Sequence, residues 1–352
     1  DVLMRVQRFL ASALLATAAF TPAQAAMYCV GNATQLHNAL TSARNNGEHD
    51  DVRMVPGTYT RQPDVAGGYM FSHTLENGRN LSLSGGWNAT CTSQTQLDPA
   101  ATVIDGQLTH RLLLIGNGAD VSGDVQLRNF TLQRGFTTMP FGLFELPLTA
   151  ASPVNAWFDN MRFIDNVKLG DNFIPPVRVT MGSGTLRIRS SVFVGNSTSR
   201  WGALGVSSPG YVYLNNNTIV GNVVTGTDGK GGLILNGEGI FSLSNNVVWG
   251  NTDNGDEHDV YVGAANVTAR HNHIGSTYGW FAVDFNSSYG DPKLVSFDNP
   301  RPRADSPLRN TGLANPSGGS TSLDASGRAR IQEGALDRGA FESEALLSSG
   351  FE

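Results

Sequence analysis

Charge is scarce in this chain. Of its 352 residues only 15% are Asp, Glu, Lys or Arg, and the balance is −6. Lys and Arg nowhere gather into a basic patch, so no nucleic-acid partner is expected. Cysteine is scarcer still, with Cys29 and Cys91 alone. Two thiols without histidines at metal-ligand spacing make no zinc site. In an exported chain they pair, so a Cys29–Cys91 disulfide is expected to tie the N-terminus to the body. Runs of apolar residues are too short to span a bilayer, which leaves no transmembrane anchor. The apolar stretch 9–20 follows the basic Met4-Arg-Val-Gln-Arg8 and precedes Ala23-Gln-Ala25, the pattern of a cleaved secretory signal over 1–25. Helical periodicity is nearly absent as well. It is confined to 34–44, where Thr34 can cap and Leu36, Leu40 and Ala43 share a face.

What the chain does have is a repeated phrase, running over 127–274. It reads Trp157-Phe-Asp-Asn-Met-Arg-Phe-Ile-Asp-Asn166, then Leu186-Arg-Ile-Arg-Ser-Ser-Val-Phe-Val-Gly-Asn196. It returns as Val212-Tyr-Leu-Asn-Asn-Asn-Thr-Ile-Val-Gly-Asn222 and Phe241-Ser-Leu-Ser-Asn-Asn-Val-Val-Trp-Gly-Asn251. With Asn160, Ser190, Asn216, Asn245 and His271 as equivalent corners, the steps are 30, 26, 29 and 26 residues. Alternating β-formers broken by Asn and Gly, which tolerate left-handed backbone, describe strands meeting at sharp corners. One such unit cannot bury its apolar face, but stacked units form a continuous interior column. The prediction is an all-β chain, a right-handed single-stranded parallel β-helix with a short N-terminal capping helix. A propeller is the alternative, but its blades need about forty residues or more.

The predicted organisation is a signal at 1–25, an N-terminal cap and first coils at 26–106, and repeats at 107–290. C-terminal coils or a cap follow at 291–342, then a tail at 343–352. Within the repeats, the pattern lapses at 135–156, where Phe136, Phe141, Phe144 and Pro147 read as an irregular apolar loop. Such a loop packs along the flank or lines a ligand groove.

Two stretches carry a family resemblance. GGWNATCTSQTQLDPAATVIDG over 85–106 resembles the opening of secreted bacterial β-helix proteins of the pectin-lyase-like fold. The series Asp291-Pro, Ser306-Pro-Leu-Arg-Asn-Thr-Gly312, Asp324-Ala-Ser-Gly327, Arg330 and Asp337-Arg-Gly-Ala-Phe-Glu342 resembles a choice-of-anchor Q-type C-terminal region. Asn310 departs from that pattern, which usually has Asp there. The resemblance spans about 28–342 and implies architecture and export to the cell surface or medium. It implies little about chemistry.

Candidate residues follow from the fold's association with polysaccharide chemistry, each with a plainer reading beside it. Asp159 and Asp165, with Asp171 and the cations Arg162 and Lys168, fall on one coil and its loop. Clustered carboxylates suit a hydrolase; carboxylates holding Ca²⁺ beside a Lys or Arg base suit a lyase. Yet Asp165-Asn166 also reads as this coil's version of Gly195-Asn196. Glu257, His258 and Asp259 form the densest acid–base group, or a solvated loop entering a strand. His271 and His273 on the next coil, with Asp256 and Asp259, make at most a weak metal site. Asn160, Asn216, Asn217, Asn245 and Asn246 can bind sugar, or stack as an internal amide ladder. Trp201, Tyr211, Tyr213 and Trp249 offer stacking platforms if they face outward, though Trp249 reads as core. The 343–352 tail reads as a sorting tag or a frayed end.

The function expected from these residues is a secreted or cell-surface β-helix protein that binds a glycan or envelope component without turning it over. The alternative is a lyase or hydrolase of an acidic polysaccharide. No cofactor is expected, except Ca²⁺ for a lyase. A polysaccharide partner and a monomeric state complete the expectation.

Overall fold

A computed structural model describes residues 25–343, apart from 64–67, 76–77, 118–122, 150–152, 171, 227–228 and 333. The signal expected over 1–25, all but its last residue, and the tail beyond Ser343 lie outside the described residues. The fold is an all-β parallel solenoid of about seven turns, 5% helical, with its one helix near the N-terminus.

A single coil shows the design. Strand Ala156–Asp159 joins the ten-stranded first sheet, Asn160 turns the corner, and Arg162–Ile164 joins the eight-stranded second sheet. Asp165 turns again into Val167–Lys168 of a short sheet, and the chain then rises to Val177–Met181 of the eight-stranded third sheet. The next coil repeats the circuit in register, so Phe158 lies over Ile188 and Phe163 over Phe193. Parallel neighbours stand about 4.8 Å apart, which lets like side chains stack into columns. Phe163 and Phe193 stack in this way at 4.8 Å, and Phe144 and Phe158, from the other two sheets, meet them edge-on or tilted in one buried aromatic cluster.

The corners obey the sequence phrase. Asn160, Ser190, Asn216, Asn245 and His271 all have φ between 50° and 59°. The second turn does the same at Gly195, Gly221 and Gly250, and Asp165 takes their place with φ 52°. An aspartate tolerates that backbone because its short polar chain can bond locally.

Three readings of the sequence are corrected. Helix Ala33–Asn45 is capped by Asn32, whose Oδ1 accepts from Gln35 N at 2.9 Å, so Thr34 is already inside it. The stretch 135–156 is no irregular loop. It contains strands Phe136–Thr137 and Phe144–Leu148, whose Phe144, Leu146 and Leu148 are buried, and Pro140 and Pro147 disguised the alternation. The stretch 291–342, predicted as coils or a cap, contributes no strand to the four sheets among its described residues. It runs back along the outside of the second sheet, where Leu308, Ala325, Ala340 and Phe341 bury Val192, Val194, Val220 and Val247.

That return segment is clamped by its own polar residues. Arg330, buried, donates to Glu342 Oε1 at 2.9 Å, to the Gly339 and Ala340 carbonyls, and to Ser190 Oγ of the corner. Asp324 accepts from Ser326, Arg328 and Glu342 backbone amides, and Asp337 from those of Asn310 and Ser343. The charged residues of the C-terminal motif are therefore a brace. At the other end the Cys29–Cys91 disulfide, with Cα atoms 5.6 Å apart, fastens the first strand to the loop after strand Leu81–Ser84. Leu36, Ala39, Leu40 and Ala43 of the helix cover the first coils. Among the described residues no helix is long and apolar enough to cross a membrane.

Candidate functional site

The two asparagines at each corner have separate duties. The second of each pair points inward: Asn217 Nδ2 donates to Asn246 Oδ1, and Asn246 to Asn272, each at 2.9 Å. A parallel column runs Asn166, Asn196, Asn222, Asn251 and ends on Asp259, with links of 2.7–2.9 Å. The amides of these columns also reach backbone carbonyls, so the columns satisfy their own polar groups; removing one would orphan partners at about 1–3 kcal/mol each. The ladder reading thus holds for Asn217 and Asn246. Asn160, Asn216 and Asn245 instead turn outward and donate to the carbonyls of Asp324, Asp337 and Leu313, holding the return segment. Asn160 also lines the polar cleft that Asp159 enters.

The expected catalytic coil does not converge. Asp159 lies on the first sheet, gripped by Arg189 through two bonds of 2.7 and 2.8 Å. It lines a polar cleft of about 330 Å³ with Gln94, Arg128 and Thr321. Asp165 lies round the corner in a separate depression with Arg162 and Asp298. Burial and the Asp298 charge raise its carboxyl above the ordinary range, with Arg134 opposing. Lys168 points into the solenoid and is fully buried, its Nζ donating to Asn172 Oδ1 at 2.5 Å. Burial pushes that ammonium down to about 8, against the Glu145 carboxylate. Only Asp165 and Arg162 are brought together. Asp171 lies outside the described residues.

The second cluster also comes apart. Asp259 closes the amide ladder, accepting from Asn251 and Ser276, and burial pushes it up to about 7 despite those donors. His258 faces Asp253 at 3.8 Å, and burial with the Lys230 charge holds it below the usual histidine range. Glu257 is exposed on a two-residue antiparallel pairing with Thr252. His271 Nδ1 meets the Thr311 carbonyl at 3.0 Å, while His273 contacts Ser288 Oγ and the Gly290 carbonyl.

A different surface is better built. Where the chain rises from the short sheet into the third, aromatic and cationic side chains line up coil over coil. Phe173, 54% exposed, meets Trp201 edge-on at 5.7 Å, with Arg200 over its ring at 5.2 Å. Phe173 and Trp201, with Pro175, Arg178, Thr180 and Asn236, line a cleft of about 250 Å³. Gly205 lets the wall close, since a Cβ there would lie 2.6 Å from Pro175 Cγ. Lys230 bridges directly to Trp201 and sets its ammonium over Tyr261 and Tyr278, which stack at 5.6 Å. Toward the N-terminal end of the same sheet Arg111 lies over Tyr69 and Phe141. From the Arg111 strand to the Tyr278 strand is six steps of the third sheet, about 29 Å at one strand spacing each.

Of the aromatics named from sequence, Trp201 joins this row, Tyr213 lies beneath Gly318, and Trp249, expected in the core, packs on the outside against Phe297. Phe173, Lys230, Tyr261 and Tyr278 were missed. The phrase that repeats in sequence covers the first and second sheets, whereas the approach to the third varies in length and hides its register. Comparison of the chain with protein-family models, curated proteins and solved structures found no match.

Proposed function

We propose that this is an exported, non-catalytic β-helix protein that binds an acidic glycan chain along the approach to the third sheet. What carries the reading is the Phe173–Trp201 cleft continuing into Lys230, Tyr261 and Tyr278 on an uncovered face. Flat aromatic rings suit sugar faces, and the interleaved cations suit carboxylate or sulfate substituents. A row of about 29 Å suits a polymer better than a single small molecule. The resemblance to secreted pectin-lyase-like proteins with a choice-of-anchor Q-type region supports export, as does the disulfide.

One observation favours the second reading, a lyase or hydrolase of the same substrate class. Lys168, held at about 8, lies just beneath the loop that carries Phe173, and a lysine tuned toward neutrality suits a general base. Its burial and the dispersal of Asp159 and Asp165 favour binding. The experiment is a panel of acidic and neutral polysaccharides, read by affinity electrophoresis, unsaturated-product absorbance and reducing ends, with and without Ca²⁺. Retention by an acidic glycan that weakens with salt, without turnover, is expected. Turnover abolished in Lys168→Ala would replace binding by catalysis, and no retention on any member would reject both.

A further inference from the structure

The two ends of the solenoid are finished differently. The N-terminal end lies under helix Ala33–Asn45. At the C-terminal end, strands Thr277–Tyr278 and Val283–Phe285 are the outermost members of the third and first sheets, and no described strand lies beyond them. Trp280 is 88% exposed there, with Phe285 at 56%, Tyr289 at 63% and Val283 at 47%. A free strand edge recruits other strands, and chains that stay monomeric guard it with lysine, proline or a covering element. Residues 276–290 contain no Lys, Arg or Pro, and Asp284 is their one charged residue.

These observations fit an interface better than a solvated edge. Taking full side-chain areas of about 150–250 Å², the four residues expose roughly 500 Å². A standard interface buries about 800 Å² per partner, so the end, with its backbone, is of the right size. The geometry points to a second copy of this chain as the occupant: we propose a homodimer joined C-terminal end to C-terminal end about a two-fold axis. The helix over the opposite end bars head-to-tail stacking, so the contact is isologous and closes at two rather than growing into a filament. A two-fold axis lying across an edge strand sets it antiparallel to its copy, a pairing in which their free N–H and C=O groups can bond. Tyr278, on one of these edge strands, also ends the aromatic row, while Phe173, Trp201 and Lys230 lie on strands or loops of earlier coils, so the dimer contact does not rest on glycan binding.

Sedimentation equilibrium of the purified protein over micromolar concentrations tests it. The expected mass is twice that of the chain, falling to one chain in Trp280→Glu/Phe285→Glu with an unchanged circular dichroism spectrum. A wild-type monomer, a species that keeps growing with concentration, or a dimer that survives the double substitution would each overturn the proposal.

Discussion

The second and third sheets arise from the same coils at the same spacing, yet their outer faces have opposite fates. The second sheet is roofed: Leu308, Ala325, Ala340 and Phe341 seal its valines, and Arg330, Asp324 and Asp337 lock the roof down. Among the described residues no such apolar segment packs over the third, and its approach carries Phe173, Trp201 and Tyr278 instead. Apolar outward residues are harmless under a roof and costly in water. Aromatic rings that stay exposed beside cations, next to a face that is covered, are what the proposed binding surface rests on. The difference separates residues that hold the molecule together from residues proposed to meet a partner.

The largest effect belongs to the roofed face. Arg330→Ala leaves Glu342 buried without its cation and should cost about 3–5 kcal/mol in chemical denaturation. Glycan affinity of the folded fraction should stay as in the wild type. A loss of affinity with intact stability would invert the assignment of the two faces.

A smaller effect lies beneath the bare face. Lys168 is held at about 8 in the folded chain against 10.5 when free. Between those values the unfolded chain carries a proton that the folded one lacks, so stability should rise with pH from 8 to 10.5, and the full cost of burying the charge applies below 8. Lys168→Met should melt a few degrees higher than wild type at pH 7, with the gap closing by pH 10.5. A constant gap across that range would show that the ammonium is not the cause.

The smallest stability effect is expected on the bare face itself. Trp201→Ala should cost about 1 kcal/mol or less in denaturation, since the ring lies at the surface. It should nonetheless weaken glycan binding tenfold or more, as truncated aromatic anchors do.

How much of this was legible in the sequence follows from where the chain repeats itself. Asn160, Ser190, Asn216, Asn245 and His271 recur because every coil needs a left-handed residue at one corner, so the solenoid and its register could be read. Cys29 and Cys91 could be paired by count alone. The side chains of Asp159, Asp165 and Lys168 are close in sequence but take three directions, because a β-helix turns its corner every few residues. Proximity along the chain therefore misleads in this fold. Phe173, Trp201, Lys230 and Tyr261 lie far apart in sequence and meet only through coil stacking, and the variable loops before the third sheet hide their alignment. The C-terminal motif was visible as a pattern, but its role as a brace emerged only from Arg330 meeting Glu342 and Ser190.

The most direct test of the open flank as the binding surface compares two variants on the acidic glycan retained most strongly. Phe173→Ala/Trp201→Ala removes the aromatic walls of the third-sheet cleft. Arg128→Ala removes a cation from the larger polar cleft beside the first sheet. Calorimetric titration should show binding lost in the first variant and kept in the second. Binding kept without Phe173 and Trp201 but lost without Arg128 would place the glycan on the other side of the solenoid and contradict the account.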